Sequence, residues 1–235
     1  MNMNYDFGID KIEELPILKE FLDKNASLYI VGGFLRDKIL NKESLDIDFI
    51  VQNQNALDLA KDFAKKTGYT FVILDEEYEI ARVVNNDKLH YFDFARCEDD
   101  DIEKDLKRRD LTINSLCMEV FPERKIIDIN NSVRDIQNGV IKTVSYKNLV
   151  DDPLRLLRVF RFASVTNFSI DSNLIDFIKK NCHLIKNSAQ ERINQEVIKF
   201  FEGESSSKYL VLMKETGLLY EIYEVLRAEK DIPKN

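Results

Sequence analysis

Between residues 28 and 51 the hydrophobic pattern changes period three times. Residues 28–31 are an apolar run that ends at Gly32-Gly33, residues 34–40 form an amphipathic segment carrying Arg36 and Asp37, and residues 45–51 are apolar again except for Asp46 and Asp48. This reads as strand, turn, helix, strand. Upstream, Ile12, Leu15, Leu18, Phe21 and Leu22 recur at helical spacing over residues 9–24, interrupted by Pro16. Residues 55–66 place Leu57, Ala60, Phe63 and Ala64 on one stripe and stop at Gly68. Residues 69–74, 79–84 and 89–95 are rich in β-branched and aromatic side chains and predict an antiparallel meander beside the first two strands. Residues 117–120 and 125–129, joined at Pro122-Glu123-Arg124, predict a hairpin.

From Asp152 onward the period is helical. Asp152 is expected as N-cap and Pro153 at the first helical position, with Arg155, Arg158 and Arg161 along one side. Residues 172–181, 188–201 and 205–215 predict further helices, the second opening on a capping sequence at Ser188. The expected class is α+β: a mixed α/β domain over residues 1–145 with a five-stranded or similar sheet, followed by an all-helical domain over residues 146–235.

A length of 235 residues suits one large or two modest domains. No apolar run approaches a membrane span, and Met1-Asn-Met-Asn-Tyr-Asp6 lacks the basic and apolar regions of a signal peptide, so a cytoplasmic location is expected and a membrane partner is not. Cys97, Cys117 and Cys182 lack metal-site or disulfide spacing and are expected as reduced core residues. The formal charge of −8 excludes a surface coated in basic residues but not a local groove, because positive charge clusters at Lys104, Lys107, Arg108 and Arg109 and again at Arg155, Arg158 and Arg161.

Gly32-Gly33 lets the backbone approach a ligand closely, and a helix starting there turns unpaired N–H groups toward an anion. Asp46 and Asp48, two apart on a strand, project from one face, and a hard dication such as Mg²⁺ relieves their repulsion. Taken alone, such a pair is also read as two solvated acids near a turn. Asp93, an acid in an apolar strand, is either an exposed alternating position beside Arg96 or a carboxylate supporting Asp46 and Asp48.

Gly32-Gly-x-x-Arg36-Asp37, followed nine residues later by Asp46-x-Asp48, resembles the nucleotidyltransferase motif of the class II tRNA nucleotidyltransferases and bacterial poly(A) polymerases. Arg108-Arg109-Asp110-x-Thr112-Ile113-Asn114 resembles that family's ribose and triphosphate contact motif. Arginine forks suit phosphate oxygens, and Asp110 and Asn114 can hydrogen-bond ribose hydroxyls. Residues 128–144 resemble the segment that closes the catalytic head, with Asn130-Asn131-Ser132 where the family has glycine and with Lys142 where it has arginine. Asp151-Asp152-Pro-Leu-Arg155 is similar to the base-reading Glu-Asp-x-x-Arg motif, and Ser188 to Glu196 to a final neck motif expected to buttress through ion pairs.

The resemblance spans residues 28–202, head and neck, with body and tail regions apparently absent, which reads either as a piece of a longer chain or as a reduced enzyme with weak tRNA binding. It implies template-independent addition of C, and of A, to the 3′ end of tRNA from CTP and ATP. Asp46 and Asp48 would hold two Mg²⁺ ions; Asp93, by its strand position and not by the resemblance, is the candidate third catalytic carboxylate. Gly32, Gly33, Arg36, Arg108, Arg109, Asp110, Asn114, Asp152, Arg155 and Arg158 would bind the nucleotide. Residues 96–108 form a shorter connector than the flexible loop of full CCA-adding relatives, so a CC-adding enzyme is expected, with a poly(A) polymerase of the same family as the alternative. A small-molecule nucleotidyltransferase needs only the first motif, and a noncatalytic RNA-binding relative would lack a metal carboxylate.

Overall fold

The computed structural model describes residues 7–44 and 46–223. The amino-terminal stretch 1–6, Leu45 of the second apolar run and the terminal residues 224–235 lie outside the described residues. The chain divides into two units, residues 7–109 with 113–137 and residues 110–112 with 138–223.

The first unit is built on a seven-stranded sheet. Its elements are α1 (Leu15–Glu20), β1 (Ser27–Val31), α2 (Gly33–Ile39), β2 (Asp46–Gln52), α3 (Ala56–Thr67), β3 (Thr70–Asp75), β4 (Ile80–Val84), β5 (Tyr91–Arg96), α4 (Ile102–Lys107), β6 (Cys117–Phe121), β7 (Lys125–Ile127) and α5 (Ser132–Gln137). The strand order is β3-β4-β5-β2-β1-β6-β7, and every neighbouring pair is antiparallel except β2 with β5. Five strands come from the first two runs and the meander; the hairpin β6–β7 adds two more by pairing with the free edge of β1.

Local chemistry sets several boundaries. Pro16 lies in the first turn of α1, where its missing N–H costs nothing, so the helix begins at Leu15, and residues 9–11 make a separate 3₁₀ turn. Asn55 caps α3 by accepting from the Asp58 N–H, and Gly68 ends it in the left-handed conformation. β5 starts two residues later than predicted because Asp87 accepts the N–H groups of Leu89 and His90. β7 ends at Ile127 because the next residue, Asp128, turns to accept from Ser132 and Val133 at 2.7 and 3.0 Å. Asn131, at φ 57°, takes the left-handed place that glycine holds in the related pattern.

The pleat separates core from chemistry. Leu28 and Ile30 of β1, Ile47, Phe49 and Val51 of β2 and Phe92 and Phe94 of β5 join one buried cluster with Leu59 and Phe63 of α3. On the opposite face Tyr29, Val31, Ile50, Cys97, Leu106 and Cys117 form a smaller cluster. Asp46 and Asp48 project to that second face, since alternate residues of a strand point oppositely.

The second unit comprises β8 (Val140–Ile141), α6 (Tyr146–Asp151), α7 (Leu154–Thr166), β9 (Ser169–Ile170), α8 (Ser172–Asn181), α9 (Gln190–Phe201), α10 (Ser206–Glu215) and α11 (Leu218–Ile222). It is helical apart from the two-residue parallel ladder β8–β9 and a bridge between Leu111 and Thr143. α7 is its centre, burying Leu156, Leu157, Val159, Phe160 and Ala163, and α9 and α10 pack against it. A Cβ on Gly203 would collide with Ser164, so glycine permits this close approach. Two expectations change here. Ser188 does not cap α9, whose N-cap is Ala189, and Cys182 is partly exposed, whereas Cys97 and Cys117 are buried. Among the described residues no helix is long and apolar enough to cross a membrane.

Candidate active site

In the first unit the predicted residues gather around the turn after β1. Gly32 adopts φ 71° and ψ −124°, a conformation that side-chain-bearing residues avoid, and donates its N–H to the Leu116 carbonyl at 3.0 Å. A Cβ placed on Gly32 would lie 3.6 Å from Arg109 Nη1, 3.6 Å from the Asn114 carbonyl and 3.8 Å from Asp48 Oδ2. A cationic fork and a carboxylate therefore converge on a position that carries only hydrogen. Gly33 begins α2 directly behind it.

Register places the acids. Asp48 lies opposite Val31 on β1 and opposite Asp93 on β5, while Asp46 lies opposite Tyr91. Desolvation pushes the Asp48 carboxyl up to about 6, and the neighbouring Asp93 and Asp46 charges act the same way against the opposing pull of Arg109. Its strand position is solvent-accessible although protein closely surrounds the carboxylate. Asp46 is also raised, first by desolvation, with Arg82 opposing. Asp93 is clamped by Arg82, which donates from Nε and Nη2 to its two oxygens at 2.7 Å each.

The arginines are held by acids. Arg36 is buried; it donates to both Asp37 oxygens at 2.9 and 3.1 Å and to Asn114 Oδ1 at 2.8 Å. That last bond fixes the Asn114 amide, whose Nδ2 is buried and has no hydrogen-bond partner. Arg109 reaches Asp105 Oδ2 from Nε and Nη2 at 3.0 and 2.9 Å, and Arg108 reaches Oδ1 at 2.8 Å. Arg108 remains half-exposed and also pairs with Glu98 at 3.4 Å. Sequence reading assigned Asp105 no role, although its spacing of three and four from the two arginines is the helical signal for this clamp.

The second unit holds Asp110, Asp152, Arg155 and Arg158. Burial alone would raise the Asp110 carboxyl, but the Arg158 guanidinium, 2.7 Å from Oδ2, brings it below the usual carboxylate range. Asp110 Oδ1 accepts the Leu111 N–H at 2.8 Å. Arg158 and Arg161 both reach Glu196 Oε1 at 3.4 Å, so the basic side of α7 is ion-paired, and the expected buttress from α9 is present. Asp152 caps no helix with its side chain: its Oδ2 lies 3.1 Å from Arg192 and 3.7 Å from Arg155 Nε, while Arg155 Nη1 donates to the Asn148 carbonyl at 3.3 Å. The carboxylate turns from the helix end toward these cations because they satisfy its charge.

Comparison with known proteins finds relatives of both units. A family profile described as the Poly A polymerase head domain matches residues 28–142, and one described as the probable RNA and SrmB-binding site of polymerase A matches residues 167–229. The chain is 35% identical over 212 residues to a CC-adding tRNA nucleotidyltransferase of Synechocystis sp., covering 89% of this chain and 50% of that one. It is 34% identical over 217 residues to a CCA-adding enzyme of Ligilactobacillus salivarius, covering 87% and 52%. Among solved structures, a CCA-adding enzyme in complex with ATP matches with a TM-score of 0.81 and 28% identity, covering 93% of this chain and 54% of that one. The chain thus spans about half the length of the curated relatives it matches.

Proposed function

Because this chain belongs to the family of tRNA nucleotidyltransferases and bacterial poly(A) polymerases, matching its head and neck, we propose that it adds C residues, and A residues where its pocket admits ATP, to the 3′ end of tRNA without a template, releasing pyrophosphate. The first unit acts as the catalytic head and the second as the nucleotide-recognising neck. The observation that carries this reading is the convergence of Arg109, the Asn114 carbonyl and Asp48 on the bare Gly32.

The donor set fits Mg²⁺. Among the described residues no group of three or more His, Cys, Asp or Glu side chains stands together as a metal cage. Two carboxylates are what Mg²⁺ takes when substrate phosphates and water complete its shell. Asp48, whose ionised form is held back by burial and two acidic neighbours, gains most from a cation. Two Mg²⁺ ions held by Asp46 and Asp48 would neutralise the triphosphate and make the attacking hydroxyl more acidic.

The chain's own groups do the positioning. Arg109, oriented by Asp105, grips the triphosphate, and Arg108 adds positive field from its exposed position. Asn114 Nδ2 donates to a ribose oxygen, with Arg36 holding the amide in that orientation. Asp110, occupied by Arg158, serves as an anchor for that arginine. Asp152 offers an acceptor and Arg155 a donor to the edge of the incoming base. Asp93 stands behind Asp48 as a supporting carboxylate.

A CC-adding subtype is favoured by the connector after β5. Residues 98–100 form a 3₁₀ turn and Asp101 caps α4, accepting from Glu103 and Lys104. Asp100 pairs with Arg96 at 3.2 Å and Asp99 with Lys104 at 3.1 Å. So short and pinned a segment leaves little freedom to reshape a pocket for a second nucleotide. A tRNA ending at its discriminator base, incubated with CTP, ATP and Mg²⁺ and then sequenced, should gain two C residues. Efficient terminal A addition overturns the CC-only reading, and long adenylate tails on unstructured RNA replace it with poly(A) synthesis.

A further inference from the structure

One cation on the active face has no part in nucleotide binding as described. Arg82 lies opposite Asp93 across β4–β5, and Asp93 lies opposite Asp48 across β5–β2, so Arg82, Asp93 and Asp48 form one row over three adjacent strands. Cross-strand neighbours share a face, which places the guanidinium one strand beyond the carboxylates. It is held flat. Nε and Nη2 are clamped by Asp93 at 2.7 Å, and Cζ stands 4.9 Å from the centroid of the Tyr91 ring. The side chain is still 40% exposed, and its bonds to Asp93 use only Nε and Nη2 of the five-donor fork.

The strand order gives this cation a direction. Gly32, Arg109 and Asn114 lie on the β1 side of β2, and Arg82 lies on the β5–β4 side. In an in-line displacement the leaving pyrophosphate and the attacking hydroxyl are on opposite sides of the reacting phosphorus. With the triphosphate tail on the β1 side and the reaction axis running across the strands, the acceptor strand would enter over β5 and β4.

We propose that Arg82 binds a backbone phosphodiester at the 3′ end of the acceptor RNA, with Asp93 and Tyr91 holding its fork in place. This rests on the transferase reading above. Asp93 already balances the charge of Arg82 but binds it only through Nε and Nη2, so the remaining N–H donors of the fork can reach a phosphate oxygen, and Mg²⁺ on Asp46 and Asp48 would offset the repulsion between those carboxylates and the anion. The same chemistry could come from the triphosphate, and the kinetic arms separate the two sources.

The test uses the full chain, Mg²⁺, CTP and a tRNA ending at its discriminator base. Arg82→Gln should raise the KM for tRNA by about tenfold, the worth of a charge-assisted hydrogen bond, and leave the KM for CTP unchanged. Replacing the 3′-terminal phosphodiester by a neutral methylphosphonate should cost the native protein a similar factor and cost Arg82→Gln nothing more. An increase in the CTP KM instead, or equal methylphosphonate penalties in both proteins, overturns the proposal. The double variant Arg82→Gln/Asp93→Asn controls for an unpaired Asp93: if it recovers native tRNA KM, Arg82 acts only by neutralising Asp93 and the proposal fails. If the native protein incorporates no nucleotide at all, the transferase reading falls first and this inference with it.

Discussion

Asp105 takes Nε and Nη2 of Arg109 on a single carboxylate oxygen, at 3.0 and 2.9 Å, and its side chain is 1% exposed. The acid therefore sets the plane of the fork that faces Gly32. Asp105→Asn removes the charge and should destabilise the protein by about 1.5–3 kcal/mol, the range for a hydrogen bond to a charged group. The KM for CTP should rise together with it. Urea unfolding and steady-state kinetics on the same preparation check both; a CTP KM that stays native while stability falls would detach Asp105 from nucleotide binding.

Asp48 is expected to set a stability–function conflict. Its folded pKa of about 6 lies above the ordinary 3.8, so the ionised form costs stability above about pH 6, and the cost fades as pH falls through 6 toward 4. Without Mg²⁺, Asp48→Asn should melt higher than the native protein at about pH 8, with the gap closing near pH 4, and nucleotide transfer should be lost. Apparent Mg²⁺ affinity of the native protein should weaken as pH drops below about 6, because the proton and the cation compete for one carboxylate. Melting curves with and without Mg²⁺ across this range provide the check, and a variant that melts lower at high pH contradicts the strain assigned to Asp48.

Asn114 separates orientation from contact. Asn114→Asp keeps an acceptor for Arg36, now as an ion pair, and removes the Nδ2 donor. Its melting temperature should hold while the KM for CTP rises about tenfold. Asn114→Ala strands the Arg36 donor as well and should lower both stability and affinity. A native CTP KM in Asn114→Asp removes this amide from nucleotide binding.

Much of the framework was readable from local pattern. The period change around Gly32-Gly33 and the i, i+2 spacing of Asp46 and Asp48 place both acids on one strand face, because alternation in a strand is independent of its neighbours. The stop at Gly68 was equally local. The joining of the hairpin to β1 was not, since sheet edges pair through non-local hydrogen bonds. Nor was the second ladder at β8–β9, whose two-residue strands carry too little pattern to register.

The sequence by itself therefore determined the longer strands and helices, whose period is clear, where glycine opens a turn, and that acids and arginines recur in a transferase order. Tertiary structure alone decided which acid meets which arginine. Asp110 pairs with Arg158 across 48 residues, Arg36 turns to Asn114 across 78, and Arg82 joins Asp93 and Asp48 only through the registers of β4, β5 and β2. Charged side chains are long and accept many partners. Packing of the backbones that carry them selects one pairing and leaves the others unmade.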